Sequence, residues 1–370
     1  MGTNKKIFYL NLEKQFRSEK KLLLKRVEKT LLSGNYILSD EVEKFERKIC
    51  KFLGVKYCIS VNSGTDALIL SLLSLNIGSG DEVITQSNSY VASAAAIHSV
   101  GAKPVFSDVL SDQTMDPESL KKKINSRTKA ILPVHLTGRM CEMDKIERIA
   151  KEKNLKIIED SAQAFGSTFK KKKSGTFGDC SAFSVHPLKN LNACGDGGFV
   201  TTNNFKLADH ISKRRNHGHI NRNTIKFWGS VSRLDSIQAT ILNFRLNNIE
   251  EVIKKRINNY KLYSENLNTK YVFYPIPRKG CRDTFHLFVI QVSKREKLIQ
   301  YLKKNKIETR VHYPTPIHKQ HFFKKQFQGV SLPETEKQSK KILSLPINQF
   351  LKEMEIKKIC SHINIFYQNN

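Results

Sequence analysis

The sequence predicts an α/β protein with a large domain of three α/β/α layers around a mostly parallel sheet, spanning about residues 1–240, and a smaller α+β domain over residues 241–370. Three observations carry this. From about residue 55 to 200, short apolar runs alternate with segments of helical period, the rhythm of a parallel sheet covered by helices. A long proline-free segment, "SRLDSIQATILNFRLNNIEEVIKKRINNYKLYSENL", has apolar residues at helical spacing and reads as one helix leaving the first domain. Beyond it the order of elements becomes irregular, as in a separate α+β unit.

Taken in order, the stretch up to about residue 50 is helical with a turn at "SGNY". Strands and helices then alternate: "YCISV", "TDALILSLLSL", "EVITQ", "YVASAAAIHSV", "KPVFSDV", "PESLKKKI", "KAILPVH", "MDKIERIAKEK" and "LKIIED". After Asp160 the pattern changes. "SAFSVH" and "GFVTT" read as short strands flanking a glycine-rich turn, and "FKLADHISKRRNHG" as a helix ending near Gly218. In the second domain "TFHLFVIQV" and "ETRVHYP" read as strands, "SKREKLIQYLKKNK" as a helix, "LPETEKQSKKILSLPI" as a helix that then stops, and "EMEIKKICSHINIFYQ" as the last helix.

Composition narrows the class. No apolar run approaches the roughly 20 residues that span a bilayer, and the first residues lack a signal-peptide pattern, so the expected location is the cytoplasm with no membrane partner. Seven scattered cysteines without a CxxC pair or a Cys/His cluster suggest neither a disulfide frame nor a metal site. The formal charge of +29 would suit a nucleic-acid-binding regulator. The lysines, however, are spread along the whole chain beside polar residues, without interleaved aromatics or a helix-turn-helix, which is the pattern of a solvated surface.

In parallel sheets ligands sit beyond the carboxyl ends of strands. Three places there carry chemistry. Asn62, Ser63, Gly64 and Thr65 lead into a helix, which suits a phosphate cradle and equally an ordinary N-cap with a turn glycine. Asp160 ends an apolar strand, where a buried carboxylate requires a partner unless it caps the next helix. Lys189 lies in the glycine-rich turn, and a lysine kept in a partly dry cavity can lose its proton and attack a carbonyl carbon. Together these match the phosphate, pyridine nitrogen and aldehyde of pyridoxal phosphate.

"IIEDSAQAFGS" and "GTFGDCSAFSVHPLKNLNACGDGGFVTT" closely resemble the DegT family of sugar-nucleotide aminotransferases, which are fold type I pyridoxal-phosphate enzymes. "GNYILSDEVEKFE", "VNSGTDAL", "PVHLTGRM", "RRNHG", "SRLDSIQAT" and "RVHYPTPIH" extend the resemblance over nearly the whole chain. It implies that Lys189 bonds the cofactor's aldehyde and later moves the α-proton, that Asp160 pairs with the pyridine nitrogen, and that Gln163 lies by the ring hydroxyl. Tyr90 would stack on the ring, with helix-face packing as its alternative. Gly64, Thr65 and Ser184 would hold the phosphate, though Ser184 also suits a strand serine bonded to backbone. His186 matches by position and equally suits a packed structural histidine.

The resemblance further implies glutamate as amino donor, a pyridoxamine-phosphate form during turnover, and a keto-sugar on a nucleoside diphosphate as acceptor. Relatives that dehydrate replace the lysine with histidine, so Lys189 favours amino transfer. The "GDGG" and "SRLD" variants resemble members that aminate C3 of the hexose more than those that aminate C4. Arg233, His312, Tyr313 and His318 are the expected substrate-side residues, within a homodimer that shares its active sites, for polysaccharide or O-antigen synthesis. Two positions depart from the family pattern. Val231 replaces an asparagine that reaches the phosphate from the neighbouring subunit, and Thr137 replaces an aromatic residue, which would widen the sugar pocket.

Overall fold

A computed structural model describes residues 5–369. Two helices, α1 (Leu12–Leu32) and α2 (Asp40–Leu53), precede the sheet. There follow β1 (Tyr57–Val61), α3 (Gly64–Ser74), β2 (Glu82–Gln86), α4 (Ala92–Ser99), β3 (Lys103–Ser107), α5 (Pro117–Lys123), β4 (Thr128–Ile131), α6 (Met143–Glu152) and β5 (Lys156–Asp160). A small hairpin, β6 (Thr168–Phe169) and β7 (Lys172–Lys173), leads to β8 (Cys180–Ser184), β9 (Gly198–Thr202) and α7 (Phe205–Arg214). The hairpin β10 (His219–Asn221) and β11 (Thr224–Ile225) stands before α8 (Ser236–Arg245) and α9 (Ile249–Asn266). The second domain adds β12 (Val272–Phe273), β13 (Phe288–Val292), α10 (Arg295–Lys304), α11 (Pro333–Ser339), β14 (Ile342–Leu345) and α12 (Glu353–Gln368).

The main sheet runs β1-β9-β8-β5-β4-β2-β3, parallel from β8 through β3, with β9 antiparallel to both of its neighbours. Its strands are apolar almost throughout because both faces are covered. On one face α3, α4 and α7 pack through Leu68, Leu72, Ile97 and Ile211 onto Ile59, Val61, Ile158 and Val200. The other face meets Met143, Ile146 and Ile149 of α6 at Ile84 and Ile157, and Phe45, Ile49 and Leu242 of α2 and α8 at Phe183 and Phe199. This is the expected three-layer α/β/α fold. Among the described residues no helix is long and apolar enough to cross a membrane.

The second core gathers around the antiparallel sheet β12-β13-β14, with Leu298 of α10, Ile356 and Ile363 of α12, and Tyr263 of α9. Two long-range contributions join it. Ile7 packs here, bridging Ile307, and α9 serves both cores, with Ile253 in the first and Tyr260 and Tyr263 in the second.

Several local expectations are corrected. The long helix is interrupted by a 3-10 turn at Leu246–Asn248, where two poor helix formers meet and Lys48 Nζ bonds Asn243 O and Asn247 Oδ1. The segment "ETRVHYP" forms no strand beyond one bridge, Arg310 to Ser344, because Pro314 and Pro316 have no N–H to continue a ladder. "KILSLPI" is not a helix end but β14, whose four residues are all buried against β13. Helix α7 stops at Arg214 rather than at Gly218, and β13 starts at Phe288, later than "TFHLFVIQV" suggests.

One buried group pins the carboxyl edge of the sheet. Glu159 is fully buried and accepts hydrogen bonds from His135 Nε2 (3.0 Å), Ser181 Oγ (2.6 Å) and the backbone N–H groups of Gly175, Phe177 and Gly178 (3.0, 2.8 and 3.1 Å). The Cys141 N–H donates to Nδ1 (3.2 Å), which leaves Nε2 as the ring nitrogen that donates to Glu159. Burial would raise the Glu159 pKa, yet these donors hold it below the ordinary carboxylate value. Replacing Glu159 by leucine orphans all five donors, and urea unfolding should show a loss of about 3–5 kcal/mol. The part of the native stability that comes from the lowered Glu159 pKa is fully present above about pH 4.5 and disappears as pH falls through the lowered native pKa.

Candidate active site

The three strand-end features predicted from the sequence meet in one cavity of about 360 Å³. The chain leaves β1 through Asn62 and Ser63 into α3, and Ser63 Oγ caps that helix by accepting the Asp66 N–H (3.0 Å). Two glycines let backbones approach closely here. A Cβ on Gly64 would lie 2.7 Å from Ser184 Cβ, and one on Gly198 would lie 2.4 Å from the Ser63 carbonyl oxygen. The start of α3 therefore sits directly against Ser184 at the end of β8, with unpaired N–H groups and a hydroxyl facing one space.

Asp160 ends β5 and is 6% exposed. Ser93 Oγ of α4 donates to its Oδ2 (2.8 Å) and the Ala162 N–H donates to Oδ1 (3.1 Å). Lys189 lies in the loop joining β8 and β9, which is braced by Val185 N to Gly197 O (2.9 Å), Ala193 N to Val185 O (2.7 Å) and Asn190 Nδ2 to Thr284 O (3.1 Å). Burial lowers the Lys189 pKa to about 8, with the Asp160 carboxylate pulling in the opposite direction. The loop thus holds an amine that is partly unprotonated near neutral pH.

The cavity brings together Gly64, Thr65, Tyr90, Asp160, Gln163, Ser184 and Lys189, and also His312 and Tyr313. Tyr90 is exposed at its mouth, 6.0 Å from the Tyr313 ring, rather than packed on a helix face. Gln163 accepts the Thr137 N–H (2.9 Å), and burial raises the Tyr313 phenol to about 12 against an opposing hydrogen bond from Gln163. His312 contacts Ser344 Oγ through Nδ1 (2.8 Å), and burial, then Lys189 and Arg310, lower it to about 4. His186 lines the cavity and is exposed, not packed as a structural histidine.

Two expected substrate-side residues are placed elsewhere. Arg233 donates to Asn216 Oδ1 (2.9 Å) and does not line the cavity of its own chain. His318 is buried between Ser87 Oγ (2.7 Å) and Glu336 Oε1 (3.1 Å), also away from the lining. Val231 is half exposed and bridges Asn216, while Thr137 has a left-handed φ of 65° and faces a separate slot beside Arg139. Sequence reasoning missed Ser93, Tyr9 and His286, all of which line the cavity. Ser93 carried a signal, since it falls three residues after Tyr90 in the same quoted stretch; Tyr9 carried none.

The family model of the DegT/DnrJ/EryC1/StrS aminotransferases matches residues 17–364. A dTDP-3-amino-3,6-dideoxy-alpha-D-galactopyranose transaminase of Aneurinibacillus thermoaerophilus is 39% identical over 357 residues, covering 96% of this chain and 98% of the relative. The crystal structure of DesV from S. venezuelae superposes with a TM-score of 0.95 at 33% identity, covering 98% of each chain. That of NtdA from Bacillus subtilis with bound cofactor PMP gives 0.90 at 29% identity, covering 97% of this chain and 85% of the other.

The lysine environment is testable without any ligand. Labelling of Lys189 by trinitrobenzenesulfonate, followed by peptide mass mapping, should be half-maximal near pH 8. Because the Asp160 carboxylate raises this pKa, Asp160→Asn should move the midpoint lower. A midpoint near that of an ordinary lysine would contradict the assigned burial.

Proposed function

The chain belongs to the DegT/DnrJ/EryC1/StrS aminotransferase family, and on that premise we propose that it moves the amino group of glutamate to C3 of a keto-sugar carried on a nucleoside diphosphate. It is a pyridoxal-phosphate-dependent aminotransferase of fold type I. One observation supports the reading above the others: a lysine with its pKa lowered to about 8 shares a cavity with a buried carboxylate and a glycine-lined helix start.

The residues present fit pyridoxal phosphate. The space that a Cβ on Gly64 would fill lies between the free N–H groups of α3 and Ser184, which suits a phosphate held by Gly64, Thr65 and Ser184. Asp160 keeps acceptor capacity beyond its bonds to Ser93 and Ala162, as a partner of a protonated pyridine nitrogen must. When bound, the cofactor supplies an electron sink for the pair left on a substrate carbon. Lys189 contributes the nucleophilic amine, and its lowered pKa lets Nζ accept a proton from the substrate carbon and return it within one cycle. In this reading Tyr90 covers the ring, Gln163 meets its hydroxyl, and His312 and Tyr313 face the substrate.

Support for C3 comes from the relative whose name specifies a 3-amino sugar, together with the "GDGG" and "SRLD" stretches of this chain. In the proposed two-domain division, residues 1–240 hold the cofactor and residues 241–370 cover it, with the product destined for a polysaccharide such as O-antigen. A cytoplasmic location agrees with the free cysteines. We propose a homodimer with shared sites because Tyr36, Ile37, Trp228 and Val231 are exposed apolar residues, and Ile37 bridges Asp235 beside them. Arg233, away from its own cavity, would then serve the partner's site.

With added pyridoxal phosphate the protein should develop a visible absorption band that excess glutamate removes and that Lys189→Ala lacks. Amino transfer to a dTDP- or UDP-linked 3-keto-hexose, followed by mass spectrometry, should fall by a factor of about 10²–10⁴ or more in that variant. No band in the wild type would end the proposed lysine assignment. Trp228→Asp should shift the sedimentation coefficient from dimer towards monomer, since a charge on a buried apolar contact is strongly disfavoured.

A further inference from the structure

Among the described residues, the wall of the cavity that the second domain supplies contains no carboxylate. It includes His286 and His312, whereas the two carboxylates on the lining, Asp160 and Asp196, both come from the first domain. His286 is 9% exposed. Its Nδ1 is buried with no partner among the described residues, and no described protein group bonds Nε2, which leaves Nε2 as the nitrogen turned towards the cavity.

An orphaned buried N–H is rarer and more costly than an orphaned lone pair, so the single ring proton belongs on Nε2. Burial first, and then the positive charges of Lys189 and Arg256, hold the imidazole far below its ordinary pKa and therefore neutral. Behind it Arg256 is fully buried, with no carboxylate partner among the described residues, donating to the carbonyl oxygens of Phe285 (3.0 Å) and His286 (3.2 Å) and to Gln349 Oε1 (3.4 Å). The site thus presents a neutral N–H donor, fixed by the backbone, with an unneutralised cation behind it. Such a pairing selects an anionic acceptor.

We infer that His286 Nε2 donates to the α-carboxylate of the amino donor, fixing it beside Lys189. This rests on the aminotransferase reading above. His286 and Lys189 line the same cavity, and among charged neighbours Lys189 weighs most on the imidazole. Of the two proposed substrates, only an amino acid carries an anionic group one bond from the carbon that reacts; the diphosphate of a nucleotide sugar is several bonds away from the ring carbon. His286 is therefore a recognition residue for the donor half of the cycle alone.

The test measures equilibrium binding to the pyridoxal-phosphate-loaded protein by calorimetry, with α-methylglutamate as a donor that has no α-proton to lose, and with dTDP and UDP as nucleotide probes. His286→Phe keeps a ring but removes the donor, His286→Asn withdraws it, and His286→Gln places an amide N–H near the Nε2 position. The Phe and Asn variants should bind α-methylglutamate at least about tenfold more weakly, the loss expected for one hydrogen bond to a charged group. The Gln variant should stay within about threefold, and nucleotide affinity should be unchanged in all three. If His286→Phe does not fold, His286→Asn carries the same comparison. Equal α-methylglutamate affinity in wild type and the donor-less variants overturns the inference, as does a parallel loss for α-methylglutamate and nucleotide in all three, which marks a structural role. If the wild type neither binds α-methylglutamate nor reacts with glutamate, the donor reading itself fails.

Discussion

The chemistry of this protein depends on how one strand ends. Residues Glu159 and Asp160 are consecutive acids at the carboxyl end of β5, and the two-residue period of a strand sends them to opposite sides. Glu159 is consumed by structure, binding His135, Ser181 and three backbone N–H groups of the 175–178 loop. Asp160, one residue later, is left with two internal bonds and a face on the cavity. A one-residue slip in register would exchange the locked carboxylate for the working one. Neighbouring β4 and β8 fix that register through Ile131 to Ile157 and Asp160 to Ala182.

Around that strand end the working groups are divided between the two domains. The first domain supplies the carboxylates, the lysine and the helix start; the second supplies imidazoles backed by a buried arginine. The two halves are joined by Arg139, which pairs with Asp112 on its own side and with Asp283 across the boundary at 3.1 and 2.8 Å. Breaking so buried a network would leave unpaired charge, so the relative placement of the domains and the electrostatics of the cavity are coupled.

Much of this was legible in the sequence because it follows from local patterns. The alternation of apolar runs with helical periods gave the parallel sheet, and Lys189, Asp160 and Gly64 stood at strand ends where such sheets bind ligands. What escaped was set by tertiary contact. The strand Ile342–Leu345 was hidden behind a helical start, since four apolar or small residues suit either element until a partner such as β13 is present. Ser93 looked like a helix residue until α4 was docked against β5, and His286 looked like one residue of a strand. The expectation for His318 came from a motif whose second histidine is turned to Ser87 and Glu336 instead of to the cavity.

The start of the chain has a further consequence. Ile7 bridges Ile307, Tyr9 N–H donates to Glu308 Oε2, and Asn348 Nδ2 donates to the Phe8 and Tyr9 carbonyl oxygens, while the Tyr9 side chain lines the cavity. The hydrogen bonds among these contacts close across 299 to 340 residues of sequence. During synthesis, residues 7–9 must wait for residues 307–348 before they find their places. The first domain can collapse early around its own sheet, but the pocket acquires this wall only when that later segment arrives. Assembly of the site is thereby tied to synthesis of residues 307–348, and a translation product ending before them would carry Lys189 and Asp160 in an unfinished enclosure.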